Sequence, residues 1–236
     1  MKWLLRISAL QIARLMPLNL SQNAVGLVVL AKYMPLIRKS EYFSRREDLW
    51  SSILEQGENP KILLLEFGVH RGYSIQEFAK YNSHPESIFV GFDSFEGLPR
   101  AWRNFVKVYR AKEFDVGGQI PENSDERVHF VKGWFTSTLP AFFETFDIQA
   151  FEHVFIHLDA DIYSSTLYCL TEISRVRDQA HMIFDEFPGE EARALEDFLD
   201  VQGGRVQFKG YASATPAFPM QVAVEWRRTE SEYSIL

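Results

Sequence analysis

Two pairs of acidic residues stand where strand-like segments run out. Asp159 and Asp161 lie in HLDADIYSST (157–166), and Asp185 and Glu186 in FDEF (184–187). Burying an unpaired carboxylate is costly, and clustered like charges raise one another's pKa unless a cation sits among them. All the donors are oxygen, which suits a hard ion such as magnesium, and no His/Cys set has zinc spacing. Asp159 and Asp185 therefore read as metal ligands. For Asp161 and Glu186, a helix cap or a solvated acid is the alternative.

Three other segment ends carry residues suited to a ligand. In LEFGVHRGYSI (65–75), Gly68 and Gly72 follow Glu66 and allow a tight turn and close backbone approach. The helix after them would present its free N–H groups. An ordinary strand-to-helix turn would show the same residues. In FDSFEGLP (92–99), Asp93 has the oxygens to accept hydrogen bonds from both hydroxyls of a ribose; a turn cap is the alternative. In KGWF (132–135), Gly133 permits close approach, and Trp134 or Phe135 would cover a purine or pack in the core.

The elements that must position these residues alternate along the chain. KILLLEFG (61–68), SIFVGFDSF (87–95), RVHFVKG (127–133), EHVFIHLDA (152–160) and AHMIFDEF (180–187) read as strands. The continuous apolar run of the first suits a strand buried on both faces. Helical segments are expected at 73–81, 138–146, 164–176 and 190–204, with Ser164 or Ser165 capping the third. RVQFKGYA (205–212) and QVAVEWRR (221–228) follow as two strands in succession. The pattern predicts an α/β fold with helices on both faces of a mostly parallel, seven-stranded sheet, with an antiparallel C-terminal edge hairpin. In such sheets ligands bind beyond the carboxyl ends of the strands, where the residues above lie. Residues 96–127 read as a long loop, a candidate lid with Arg100, Arg103, Lys107, Arg110 and Lys112. Its charges read first as a solvated face and otherwise as a preference for an acidic acceptor.

The 236 residues carry a formal net charge of −7, which argues against a nucleic-acid binder. The single cysteine, Cys169, excludes an internal disulfide, reads as buried and inert, and fits a reducing cytoplasm. Residues 1–40 read as an N-terminal helical extension that completes the acceptor pocket or a homodimer contact, with 41–236 as the main domain. Leu4, Leu5, Ile7, Leu10, Ile12, Leu15 and Met16 would form a broad helical stripe. Packing on the domain or a second subunit is favoured over peripheral membrane contact.

LEFGVHRGYSI, VGFDSFEGLP, VKGWFTSTLP, HLDADIYSST and FDEF, in this order and spacing, resemble the macrocin O-methyltransferase family over roughly residues 40–228. The family methylates sugar hydroxyls. The resemblance implies a Rossmann-like class I methyltransferase fold, S-adenosylmethionine (SAM) as methyl donor, magnesium at the active site and a small-molecule or glycan hydroxyl acceptor. By position, Glu66, Gly68, Gly72 and Ser74 resemble the SAM turn. Asp93 resembles the ribose acid, and Ser94, Gly133 and Trp134 are expected to bind the cofactor with it. Asp159 resembles the metal-binding aspartate and general base. Asp185 and Glu186 stand where the family has a paired Asp-Asp, and the longer Glu186 shifts its oxygens by about a bond length. Two rivals remain at this stage. A metal-dependent glycosyltransferase would use D-A-D for a sugar nucleotide, and a non-catalytic SAM-fold binding protein would need no chemistry at all.

Overall fold

The computed structural model describes residues 18–55, 59–103 and 107–229. The apolar stripe from Leu4 to Met16 lies outside the described residues. The described strands are β1 (Glu41–Phe43), β2 (Ile62–Phe67), β3 (Ile88–Asp93), β4 (Trp102–Arg103), β5 (Val108–Tyr109), β6 (Val128–Lys132), β7 (His153–Leu158), β8 (Gln179–Phe184), β9 (Arg205–Ala212) and β10 (Gln221–Arg227). The helices are α1 (Leu18–Ile37), α2 (Arg46–Leu54), α3 (Tyr73–Tyr81), α4 (Phe135–Thr145), α5 (Tyr163–Val176) and α6 (Ala192–Gln202).

Eight strands form one sheet in the order β1-β9-β10-β8-β7-β2-β3-β6, and β4 and β5 form a separate small hairpin. β6, β3, β2, β7 and β8 run parallel, while β10 pairs antiparallel with both β8 and β9. This is the expected class I architecture, with one addition. The short β1 pairs parallel with β9, so the C-terminal hairpin lies one strand in from the edge.

Side-chain alternation divides the core. Leu63, Leu65 and Phe67 of β2 face one layer with Val154, Ile156 and Leu158 of β7. Ile62 and Leu64 face the other with Phe155. The first layer is closed by α1, α4, α5 and α6 through Leu30, Leu139, Leu170 and Phe198, among others. The second is closed by α2 and α3 through Leu49, Trp50, Ile53, Ile75 and Phe78. Glu66 and His157 share the parity of the second layer and are register partners on β2 and β7.

α1 is built into this core. It buries Val29, Leu30, Tyr33 and Ile37. The Tyr33 hydroxyl donates to Glu196 Oε2 at 2.5 Å. A Cβ at Gly26 would stand 2.2 Å from the carbonyl oxygen of Gly189, so the helix meets the turn 187–191 backbone to backbone. No described helix is long and apolar enough to cross a membrane. Cys169 is fully buried in α5, and burial raises its thiol pKa well above the ordinary range.

Candidate active site

The parallel strands stop in step. The Gly133 N–H donates to Asp93 O (2.9 Å), Gly68 N–H to Phe92 O (3.0 Å), Asp159 N–H to Phe67 O (2.9 Å) and Asp185 N–H to Leu158 O (2.9 Å). These bonds carry the strand pairing just past the strand ends. Gly133, Asp93, Gly68, Asp159 and Asp185 thus form one row across the carboxyl rim. Gly68 is required in that row: its φ is 96°, and a Cβ there would lie 1.9 Å from Asp159 O.

A cavity of about 340 Å³ opens above the row. Eight of the expected site residues line it: Gly68, Asp93, Ser94, Gly133, Trp134, Asp159, Asp185 and Glu186. Asp93 organises one end. Its Oδ2 accepts from the N–H groups of Val69 and His70, both at 2.8 Å, and its Oδ1 from Phe95 N–H at 2.7 Å. A carboxylate has about four acceptor positions, so room remains for a ligand hydroxyl.

Glu66, Gly72 and Ser74 do not line the cavity. Glu66 is fully buried behind the turn, where Oε1 lies 2.9 Å from His157 Nδ1. Its parity on β2 turns Glu66 toward α2 and α3, away from the cavity it was expected to share. Ser74 lies buried in the first turn of α3. Gly72 is the N-cap of α3 at φ 77°. These three residues brace the turn from behind.

Asp161 corrects the sequence reading in the other direction. A left-handed backbone, φ 58°, directs it into the cavity in place of a capping or solvated position. Nor does Ser164 or Ser165 cap α5. Ile162 is the N-cap, and Tyr163 N–H donates to Glu190 Oε2 at 2.6 Å. An acid 27 residues downstream supplies the negative charge that a helix start favours. His70 and Phe114 also line the cavity with positive φ, 51° and 68°. Strained backbone of this kind concentrates at functional sites.

Part of the long loop is folded over the opening. Trp102 and Tyr109 of the β4–β5 hairpin stack at 4.7 Å, Tyr109 lies 5.5 Å from Phe114, and Phe114 meets His70 edge-on at 5.7 Å. Of its basic residues, Arg100 pairs with Glu190 at 3.5 Å and Lys107 with Glu113 at 3.3 Å, while Arg110 and Lys112 face solvent. The Arg103 side chain is outside the described set.

The acids at the other end of the cavity are under-neutralised. Burial, then the charges of Asp185 and Asp161, hold the Asp159 carboxyl well above the usual carboxylate range. Burial, then Glu186 and Asp185, push Asp161 up to about 8. Glu191, not singled out in the sequence, is fully buried beside them and is raised by burial and then by Asp185 and Asp159. Burial alone would lower His157, but Asp185 and Glu66 outweigh it and raise the imidazole to about 10. The chemistry of this oxygen set fits a hard cation. As they stand, no three His, Cys, Asp or Glu side chains among the described residues are placed to hold a metal ion.

The shifts fix a pH dependence. An acid whose folded pKa is raised stabilises the fold fully below its unfolded pKa, and that stability is lost as pH rises through the folded value. For Asp161 the window runs from about 4 to about 8. The ligand-free protein is expected to melt higher at pH 5.5 than at pH 8.5, and Asp161→Asn to flatten the difference. Differential scanning fluorimetry across that range checks both.

A sequence model of the family described as macrocin O-methyltransferase (TylF) matches residues 47–207. The chain belongs to the macrocin O-methyltransferase family. It is a SAM-dependent O-methyltransferase. None of the curated proteins matches it. Among solved structures, it is similar to a TDP-rhamnose 3'-O-methyltransferase of calicheamicin biosynthesis, with 18% identity, 77% of each chain covered and a TM-score of 0.50. It is also similar to an O-methyltransferase from Bacillus cereus solved with SAH, with 14% identity, 91% and 93% of the two chains covered and a TM-score of 0.50. At these identities the two structures establish the shared fold.

Proposed function

We propose that this O-methyltransferase acts on a hydroxyl of a sugar or another polyhydroxylated small molecule, with Asp159 as general base and magnesium assisting. The observation that supports the reading is the row Gly133, Asp93, Gly68, Asp159 and Asp185, all of which line one cavity. Asp93 and Ser94 bind the ribose, Gly68 lets the backbone approach the methionine end, and Gly133 and Trp134 border the purine. Residues 41–236 carry this machinery, and 1–40 close the acceptor side or form a contact between two copies. The single buried cysteine suits a reducing cytoplasm.

SAM supplies a methyl group already activated by its sulfonium. The chain's tasks are to hold the acceptor oxygen in line with that methyl and to remove its proton. Positioning at about 3–3.5 Å contributes roughly 7–11 kcal/mol. Asp159 takes the hydroxyl proton as the O–CH3 bond forms and the S–CH3 bond breaks, leaving neutral SAH. Asp159, Asp185 and Glu186 would hold the magnesium, which supplies charge neutralisation to the acids and to the oxygen losing its proton. Leu98, Tyr109 and Phe114 exclude water from above.

Thermal shift with SAM and SAH, against UDP- and GDP-sugars, tests the reading. Stabilisation by SAM and SAH alone is expected. A ligand at 100 times its Kd contributes about 2.7 kcal/mol, worth several degrees in a chain of this size. Stabilisation by the sugar nucleotides alone overturns it. Methyl transfer that survives chelation of divalent ions would remove magnesium from the scheme. SAM binding with no transfer to any polyhydroxylated acceptor would favour a non-catalytic binding protein.

A further inference from the structure

The mechanism above leaves a fully buried Glu66–His157 pair unexplained. The pair sits between β2 and β7, against the rings of Trp50 (5.5 Å) and Phe78 (5.0 Å). Burying an acid and an imidazole in such a layer costs more than packing apolar side chains of the same size. Stability alone therefore gives no reason for the pair.

Its direction gives one. Glu66 Oε1 holds Nδ1 of His157 at 2.9 Å. The far nitrogen, Nε2, has no hydrogen-bond partner and lies 3.8 Å from Oδ1 of Asp185, within ion-pair range. Gln221 Nε2 donates to the same Oδ1. Arg46 Nη1 approaches it at 3.8 Å, with its guanidinium over the Trp50 and Tyr73 rings. Three nitrogens from three elements thus approach one oxygen of Asp185, Oδ1. The carboxylate lines the cavity, and none of the three contacts is to Oδ2.

We propose that His157, gripped from behind by Glu66, is a positioning residue that fixes Oδ1 of Asp185 and so presents Oδ2 to the cavity. The role of Oδ2 rests on the methyltransfer reading, but the fixing of Oδ1 does not.

The test is a double-mutant cycle of His157 variants with Asp185→Asn, read by Tm, with crystal structures of the single variants. A Gln amide nitrogen falls near the place of Nε2, and an Asn amide nitrogen near that of Nδ1. His157→Asn is expected to turn the Asp185 carboxylate from its present orientation, and His157→Gln to keep it. The His157→Asn cycle should depart from additivity by about 2 °C or more. A role confined to packing against Trp50 and Phe78 would give additive shifts and an unmoved Asp185 in both variants, which overturns the proposal. Should the His157 variants not fold, Glu66→Gln crossed with Asp185→Asn reads the same relay from its far end, with the same two outcomes. Calorimetric titration of the wild-type protein with SAH separates the readings. Absence of SAH binding removes the methyltransfer reading, while the cycle still decides the role of His157.

Discussion

Asp159→Asn is expected to lower methyl transfer by about 10²–10⁴-fold, the range for loss of a general base, while SAH affinity stays within a few-fold of wild type. The substitution is nearly isosteric, and it removes a carboxyl that burial and the charges of Asp185 and Asp161 already hold toward its protonated form. The fold should therefore tolerate it, and at pH 8 the variant should melt no lower than wild type. Transfer of labelled methyl from SAM to polyhydroxylated acceptors measures the first effect, and calorimetry with SAH the second. An Asn variant that retains wild-type transfer would dismiss Asp159 as the base.

Asp93→Ala is expected to have the largest effect on binding. Its carboxylate collects three backbone N–H groups, from Val69, His70 and Phe95, and so ties the turn after β2 to the start of the lid. Hydrogen bonds to a charged group contribute about 1.5–3 kcal/mol each. With their acceptor gone, the turn loses its anchor and a ribose its partner. SAH affinity should fall by about 100-fold or more, equivalent to about 2.7 kcal/mol, and Tm by several degrees. Asp93→Asn, which keeps an acceptor oxygen, should fall between the two. Near-normal SAH affinity in the Ala variant would detach Asp93 from the nucleoside site.

The five parallel strands were legible because each is an apolar or alternating run that ends beside a glycine or an acid. The continuous apolar run of β2 also matched a strand buried on both faces. β1 was not legible: it has three residues, none fully buried, and is defined by its backbone pairing with β9. α2 escaped notice because it has only nine residues and a polar first turn, and its core face is confined to Leu49, Trp50, Ile53 and Leu54. At the site, residue types identified the rim but not which side chains face inward. Glu66 turns away because its place in β2 has the parity of the layer under α2 and α3, and Asp161 turns in because its backbone is left-handed. The Glu190 cap and the approach of His157 to Asp185 join residues 27 and 28 apart in the chain, which local pattern does not connect.

The seat of α1 on Gly189 has a practical reach. Gly189 lies three residues after Glu186, in the same turn as Glu190, whose carboxylate receives both the start of α5 and Arg100 of the lid. Deleting everything before Lys39 would remove Val29, Leu30, Tyr33 and Ile37 from the core and unmoor that turn. A shortened protein of this kind would be expected to lose its acceptor-side chemistry before it loses its nucleoside grip, because the helix seats on the turn beside Glu186, while Gly133, Asp93 and Gly68 follow β6, β3 and β2 in the other half of the sheet.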